Sequence, residues 1–359
     1  MFFSIIIFVF TLLILVVLHE LGHFLMAKKF GIKVEEFGFG IPPKIWGKKF
    51  GETLFSINAL PIGGFVRLLG EDNAGAPVNS RDFRAKSVYK RIAVVIAGVV
   101  MNLLLAWIIF YVVLIYQDFK IIYPTLEPAA FVGFLQKDFP AEKAGINIGD
   151  RILSVNGKEI KTIDEARSLI KKEKGAPVNL TLSDVDGNNK KDLILTPKKT
   201  EKDYLIGVGF SPLAMKQYKT PTEKLFSGIT YSWNLTKVTF GGFGKLLGDL
   251  TSGNFKTASD SVSGPVGMAK ASNDILSSGK QALPFYLWFV GVISLTLSIF
   301  NVLPIPALDG GRLLFLVIEA ITRKKVKESI EIRVHQIGFA ILLSLALLVT
   351  YSDISKIIH

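Results

Sequence analysis

An unbroken uncharged and mostly apolar run from Phe2 to Leu18 leads directly into His19-Glu20-Leu21-Gly22-His23. A stretch of that kind crosses a bilayer as a helix, so two imidazoles and a carboxylate enter the lipid with it. Ionisable side chains at that depth are costly and mark function by default. Histidines four residues apart project from one helix face, close enough to share one metal ion, and Glu20 between them is placed to hold and deprotonate a water. Zinc suits such a site, because it lowers the pKa of that water to about 7. The bland alternative is a histidine pair satisfied by hydrogen bonds at a helix end. Inside a membrane span the metal reading outweighs it.

Of the 359 residues 50% are hydrophobic, which with runs of spanning length makes an integral membrane protein. There is no Cys, so disulfides and Cys-ligated zinc are excluded and His and carboxylates are the strong ligands that remain. The net charge of +12 does not call for nucleic acid, because the basic residues cluster beside apolar runs, where anionic lipid and the positive-inside rule favour them. No Lys or Arg precedes Lys28, and no small-residue cleavage site separates the first run from His19. The run is therefore expected to be a retained span and not a signal peptide.

Spans are expected at about 2–27, 91–116, 284–303 and 335–350. Residues 28–90 carry Lys28, Lys29, Lys48, Lys49, Arg81, Arg84, Lys86 and Lys90, with Arg91 directly after them, and a second basic cluster (Arg323, Lys324, Lys325, Lys327) falls between spans three and four. Both clusters are expected on the cytoplasmic side, with both termini outside. Spans one and three then run in the same direction. His19 and His23 lie roughly 25 to 30 Å along the first helix, near the cytoplasmic boundary. Asp309 follows Pro284 by about 25 residues, after Pro304 and Pro306 have broken the helix, and so arrives at similar depth. An Asp-Gly-Gly tripeptide is by itself usually a turn. Depth and the preference of catalytic zinc for three protein ligands make Asp309 the candidate third ligand. Glu319, His335 and His359 are weaker candidates.

Residues 31–70 contain Val34 to Gly40 and Thr53 to Leu60, β-rich stretches punctuated by Gly and Pro, which suggest membrane-associated strands or hairpins. An exposed edge could hold an extended peptide by strand addition, or the hairpin could plug the bundle; both readings stand. Residues 120–212 form a polar, Lys-rich insert of domain size. It has a strand at Phe131 to Leu135, a short helix stopped by Gly145, a strand running into Asn156-Gly157, helical periodicity from Ile163 to Lys171 and further strands to about 210. That pattern resembles a PDZ domain in permuted order, acting as a peptide binder or a spacer. Residues 213–283 are aromatic and Gly-rich, suited to an amphipathic segment on the outer leaflet or to a linker.

Taken together, the chain resembles the site-2 protease family of intramembrane zinc metalloproteases, in the bacterial branch that regulates sigma factors, over nearly its whole length. His19-Glu20-Leu21-Gly22-His23 fits that family's zinc helix, and Asn301 to Gly311 fits its Asn-x-x-Pro-x-x-x-Leu-Asp-Gly-Gly pattern. The resemblance implies zinc held by His19, His23 and Asp309, with Glu20 catalytic. It implies substrate contacts from Asn301, which would position substrate or stabilise an oxyanion, from Asn102, and from Gly38, Phe39 and Gly40, which resemble the family's membrane-reentrant sheet motif. Ser263 to Gly267 resembles the segment before span three. One departure is that well-known bacterial relatives carry two tandem PDZ domains, whereas this insert has room for one.

The expected fold is a polytopic α-helical membrane protein of about four transmembrane helices, with a membrane-associated β-hairpin insert and one periplasmic PDZ-like α+β domain. Its parts would be helix one with the zinc motif (1–27), the cytoplasmic-side reentrant β region (28–90), helix two (91–117), the PDZ-like domain (120–212) and a periplasmic amphipathic linker (213–283). Helix three (284–303), the Asp-Gly-Gly segment with a cytoplasmic loop (304–334) and helix four (335–351) complete it. The resemblance implies hydrolysis of peptide bonds in transmembrane segments, of an anti-sigma factor or of remnant signal peptides, in the bacterial inner membrane with the active site near the cytoplasmic side. The competing class is a catalytically silent membrane scaffold that recruits partners through the PDZ-like domain. A transporter or channel would not need a metal, a water and a base together.

Overall fold

The structure is a computed structural model that describes residues 2–71, 79–125, 129–200, 203–279 and 282–358. The chain opens with α1 (Phe2–Lys29), β1 (Val34–Phe50), β2 (Thr53–Leu68) and α2 (Val88–Tyr116). It continues through β3 (Lys120–Tyr123), β4 (Phe131–Leu135), α3 (Pro140–Lys143), β5 (Arg151–Val155), β6 (Lys158–Glu159) and α4 (Ile163–Lys172). Then follow β7 (Val178–Ser183), β8 (Lys191–Leu195), β9 (Lys198–Lys199), β10 (Tyr204–Leu205), β11 (Val208–Ser211) and β12 (Ala214–Gln217). The last helices are α5 (Pro221–Leu225), α6 (Ser227–Thr251), α7 (Phe255–Asp260), α8 (Pro265–Leu276), α9 (Ala282–Val302), α10 (Asp309–Thr322) and α11 (Glu328–Ile358). Two compact units result, Met1–Phe110 with Leu246–His359, and Tyr111–Lys245.

Among the described residues four helices are long and apolar enough to cross a membrane: Phe3–Lys29, Val88–Tyr116, Ala282–Val302 and Ser329–Ile358. The chain is accordingly a polytopic membrane protein that also carries β-sheets. The fourth helix extends beyond the apolar stretch 335–351 at both ends, because Ser329 to Arg333 and Ser352 to Lys356 continue it with polar side chains. In lipid the hydrophobic effect does not drive helices together, so association rests on close packing and interhelical hydrogen bonds. Both occur in the first unit. Thr11 of α1 and Tyr286 of α9 share a hydrogen bond between their hydroxyls (2.8 Å). Ser294 and Ser298, one turn apart on α9, donate to the carbonyls of Asn102 (2.8 Å) and Val99 (3.0 Å) on α2.

The turn between α9 and α10 is tightly determined. Ala307 adopts a left-handed conformation (φ 75°) that an L-residue seldom takes, and its amide donates to Nδ1 of His335 on α11 (3.0 Å). A Cβ on Gly310 would overlap the carbonyl of Leu303, so the helix can begin at Asp309 only if a glycine follows. Two ion pairs then fix α10, Arg312 with Glu71 beyond β2, and Arg91 of α2 with Glu319.

β1 and β2 fold into a bent antiparallel sheet. Residues 34–41 pair on one side with 60–68 and on the other with 53–58, which also pair with 44–50. The bend depends on Gly40, whose φ of +79° and closeness to the Leu60 carbonyl leave no room for a side chain. Residues 60–68 form an outer strand, partnered by 34–41 alone among the described residues. Glu52, at the tight turn between β1 and β2, accepts from Lys28 at the end of α1 and from Arg81 (2.6 Å each). Those two cations hold its carboxyl well below the usual range, at about 2.

The second unit is built on a sheet of order β11-β4-β5-β7-β8, with β6 attached to β5. Its core is formed by Val132, Ile152, Val155, Leu180, Leu182 and Leu195 with Ala166 and Ile170 of α4. α4 starts with a capping box, in which Thr162 accepts from the Glu165 amide and Glu165 accepts from the Thr162 amide.

Candidate metal centre

α1 carries both histidines on one face, and the broken turn after α9 brings the first residue of α10 to the same place. Nε2 of His19 lies 2.8 Å from Oδ2 of Asp309, Nε2 of His23 lies 3.2 Å from that oxygen, and the two Nε2 atoms are 3.1 Å apart. A tetrahedral zinc with bonds of 2.0–2.1 Å needs ligand atoms about 3.3 Å from one another, so the triangle has nearly the size of one tetrahedral face. Two imidazoles and one carboxylate are also the donor types of catalytic zinc sites, which leave a fourth position open. The donor set therefore fits zinc. Among the described residues His19, His23 and Asp309 are the group of three that could hold a metal ion.

The imidazoles are held from outside the triangle by α2. Nδ1 of His23 donates to the carbonyl of Val94 (2.9 Å). A carbonyl can only accept, so the proton sits on Nδ1 and the Nε2 lone pair is free to bind a metal. Gly98, one turn further along, lies against both rings: a Cβ there would be 2.5 Å from Nε2 of His23 and 2.8 Å from Cε1 of His19. Gly22, inside the His-Glu-Leu-Gly-His segment, likewise has no room for a Cβ against the Ala97 carbonyl. These two glycines let the helix backbones approach until α2 lines the imidazoles. The motif spacing gives no hint of Gly98 or Val94. The recoverable signal was the series Val94, Gly98 and Asn102, spaced by four, which places a small residue and a polar one on the same face of α2.

Glu20 borders two cavities. One, of about 300 Å³, is lined by Glu20, His23, Asp309, Arg312, Glu71 and residues 65–68 of the outer strand. The other, of about 240 Å³, is lined by His19, Glu20, Asn102, Leu297, Asn301 and residues 307–309. Gly64 packs beside Glu20, where an added Cβ would lie 3.5 Å from the side-chain methylene Cγ, and Gly64 pairs with Phe39. The strand bearing Gly38, Phe39 and Gly40 thus lies one strand away from the catalytic candidate. Asn301 and Asn102 face the same small cavity, Asn102 being fully buried.

The weaker ligand candidates lie apart from the triangle. Glu319 is paired with Arg91, Nδ1 of His335 accepts from the Ala307 amide, and His359 lies outside the described residues.

The sequence profile of peptidase family M50 matches residues 7–345. A Clostridium acetobutylicum protein classed as a zinc metalloprotease is 36% identical, with 98% of each chain covered. The zinc metalloprotease RasP of Geobacillus kaustophilus is 31% identical, again over 98% of each chain. The regulator of sigma-W protease RasP of Bacillus subtilis is 30% identical over 96% of each.

Proposed function

The chain belongs to peptidase family M50, the site-2 proteases, and is a membrane-embedded zinc metalloprotease; from that premise we propose that it hydrolyses peptide bonds within transmembrane segments, with His19, His23 and Asp309 as the metal ligands and Glu20 as the catalytic base. The observation that carries this reading is the 2.8 to 3.2 Å triangle of donor atoms drawn from two segments 290 residues apart, with Glu20 beside it. A family of metalloproteases also leaves no need for a silent scaffold.

Bound zinc supplies Lewis acidity and an activated water at neutral pH. Glu20 accepts a proton from water on the cavity side and returns it to the leaving amine. The outer strand 60–68 has one free edge, and residues 65–68 border the cavity that also holds Glu20. A substrate unwound from its helix loses hydrogen bonds that lipid cannot replace, and a strand edge restores them. That favours strand addition over a plug. Gly38, Phe39 and Gly40 hold the presenting strand in place from the sheet interior, and Asn301 holds the extended substrate or its oxyanion from the other cavity. Substrates with helix-weakening residues are favoured.

The substrate class is an anti-sigma factor or a remnant signal peptide, as the family resemblance implies, and a relative named as a regulator of sigma-W protease is in accord with the first. The protein resides in the bacterial cytoplasmic membrane with its centre near the cytoplasmic face, in accord with the basic residues of 28–90 and 323–327. The unit from Tyr111 to Lys245 contains a PDZ-like domain on the outer side. Its supports are the strand order, the capped helix α4 and a groove of about 440 Å³ between α4 and β11.

The test is cleavage of a model transmembrane substrate in detergent by the Glu20→Gln protein. Zinc retained with cleavage abolished supports the assignment, whereas wild-type cleavage would refute it. Membrane polypeptides that accumulate on the Glu20→Gln protein in cells identify the substrate.

A further inference from the structure

The two metal-side histidines differ in what their outer nitrogens meet. His23 has the Val94 carbonyl, whereas Nδ1 of His19 lies 3.4 Å from the side-chain amide of Asn102 on α2. As placed, the Nδ2 of Asn102 faces that ring nitrogen, while its Oδ1 is buried with no hydrogen-bond partner. That arrangement conflicts with the ring's role. If Nε2 of His19 is to bind metal its lone pair must be free, so Nδ1 carries the proton and requires an acceptor. An amide's oxygen and nitrogen are nearly interchangeable in shape, and their assignment follows from the hydrogen-bond network. Rotating the Asn102 amide by half a turn turns Oδ1 toward the Nδ1 proton. One change then supplies the histidine with its acceptor and the orphaned oxygen with a donor.

We propose that Asn102 is a positioning residue for the metal centre: its Oδ1 accepts the Nδ1 proton of His19 and thereby fixes the tautomer and ring plane that present Nε2 to zinc. α2 then governs both imidazoles from one face, through the Val94 carbonyl, the bare backbone of Gly98 and the Asn102 amide, at successive intervals of four residues. The Ser294 hydroxyl of α9, donating to the backbone carbonyl of Asn102, ties that residue to a third helix. An acceptor of this kind orients a ligand and raises its basicity, and its loss costs about 10- to 100-fold in metal affinity. The role differs from the substrate contact expected of Asn102 from resemblance, since a fully buried side chain acting through His19 alters metal binding before any substrate arrives.

The proposal rests on the metal-centre reading, and the experiment separates the two. Zinc affinity of the full-length protein in detergent is measured by chelator competition for wild type, Asn102→Leu and Asn102→Asp. Leucine keeps the volume and removes the acceptor, whereas aspartate retains an oxygen facing Nδ1. The expected result is affinity lowered about 10- to 100-fold in Asn102→Leu and largely restored in Asn102→Asp. Unchanged zinc affinity in Asn102→Leu, with only KM for substrate raised, overturns the proposal, as does an Asp variant as weak as the Leu variant. A wild-type protein that takes up no zinc would instead overturn the metal centre itself. Nitrogen-15 NMR of His19 in the zinc-loaded wild type decides the matter without any variant, should Asn102→Leu fail to fold. A proton on Nδ1 engaged in a hydrogen bond supports the assignment and an Nδ1 proton without one overturns it, whereas a proton on Nε2 overturns the metal-centre reading on which it rests.

Discussion

The amide of Gly267 donates to Oδ2 of Asp353 at 2.7 Å, across 86 residues of sequence. The other carboxylate oxygen accepts from the amide of Gly264 (3.2 Å), so a buried side chain of α11 caps the first turn of α8, whose own N-cap residue is a glycine. Carboxylates at helix N-termini satisfy free amides and complement the helix dipole. Asp353→Ala is expected to lower stability by about 1–2 kcal/mol, with Asp353→Asn losing less. Thermal unfolding of the detergent-solubilised protein checks this, and an unchanged transition in Asp353→Ala refutes the cap.

Gly98→Ala would place a methyl group against both imidazoles, at 2.5 to 2.8 Å from their atoms. Since Val94 fixes one ring and the backbone of α1 fixes both, the rings have to turn out of the donor triangle. Zinc affinity is expected to fall at least as far as for loss of an outer-shell hydrogen bond, about 10- to 100-fold, with the helices still formed. Zinc content after dialysis, read beside circular dichroism, measures it.

In the proposed centre, Asp309→Ala leaves two ligands where catalytic zinc takes three. The variant is expected to lose stoichiometric zinc and all cleavage. Chelator treatment of the wild type should abolish activity, and added zinc should restore it. One zinc per chain in Asp309→Ala would show that another group, Glu319 or His335 among them, completes the site.

In the second unit Asp186 is held below the ordinary carboxylate range. Burial acts to raise it, but is outweighed by the Lys216 ammonium at 2.6 Å and by the Tyr123 hydroxyl donating at 2.7 Å. A depressed folded-state value means that the group stabilises fully above the unfolded value near pH 4, and that this contribution is lost as pH falls through the folded value. Hydrogen exchange of the β3–β12 pair should therefore be constant from pH 8 to 5, after correction for intrinsic rates, and quicken below about pH 4. Asp186→Asn should remove that acid sensitivity.

Much of the centre is legible in the sequence because it obeys local periodicity. Helix geometry alone puts His19, Glu20 and His23 together, and the prolines before Asp309 announce the break that returns a carboxylate to the same depth. Depth along the helices ranks Asp309 above Glu319 and His335, but only the structure shows what occupies the other two, Arg91 pairing with the first and the Ala307 amide donating to the second. Alternating residues in 31–70 announce strands, yet the return of 60–68 to pair with 34–41 depends on a bend at Gly40 that alternation does not encode.

What the sequence determined by itself was the set of apolar helices and the chemical types that enter the bilayer with them, because hydrophobic length and helical spacing act over one or two turns. What only the tertiary structure decided was what surrounds the two histidines, namely the Val94 carbonyl, the space at Gly98 and the side chain of Asn102, and, elsewhere, that Asp353 caps α8. Each is a contact between helices distant in the chain. In lipid such contacts arise from close packing and hydrogen bonds, which leave no pattern in composition.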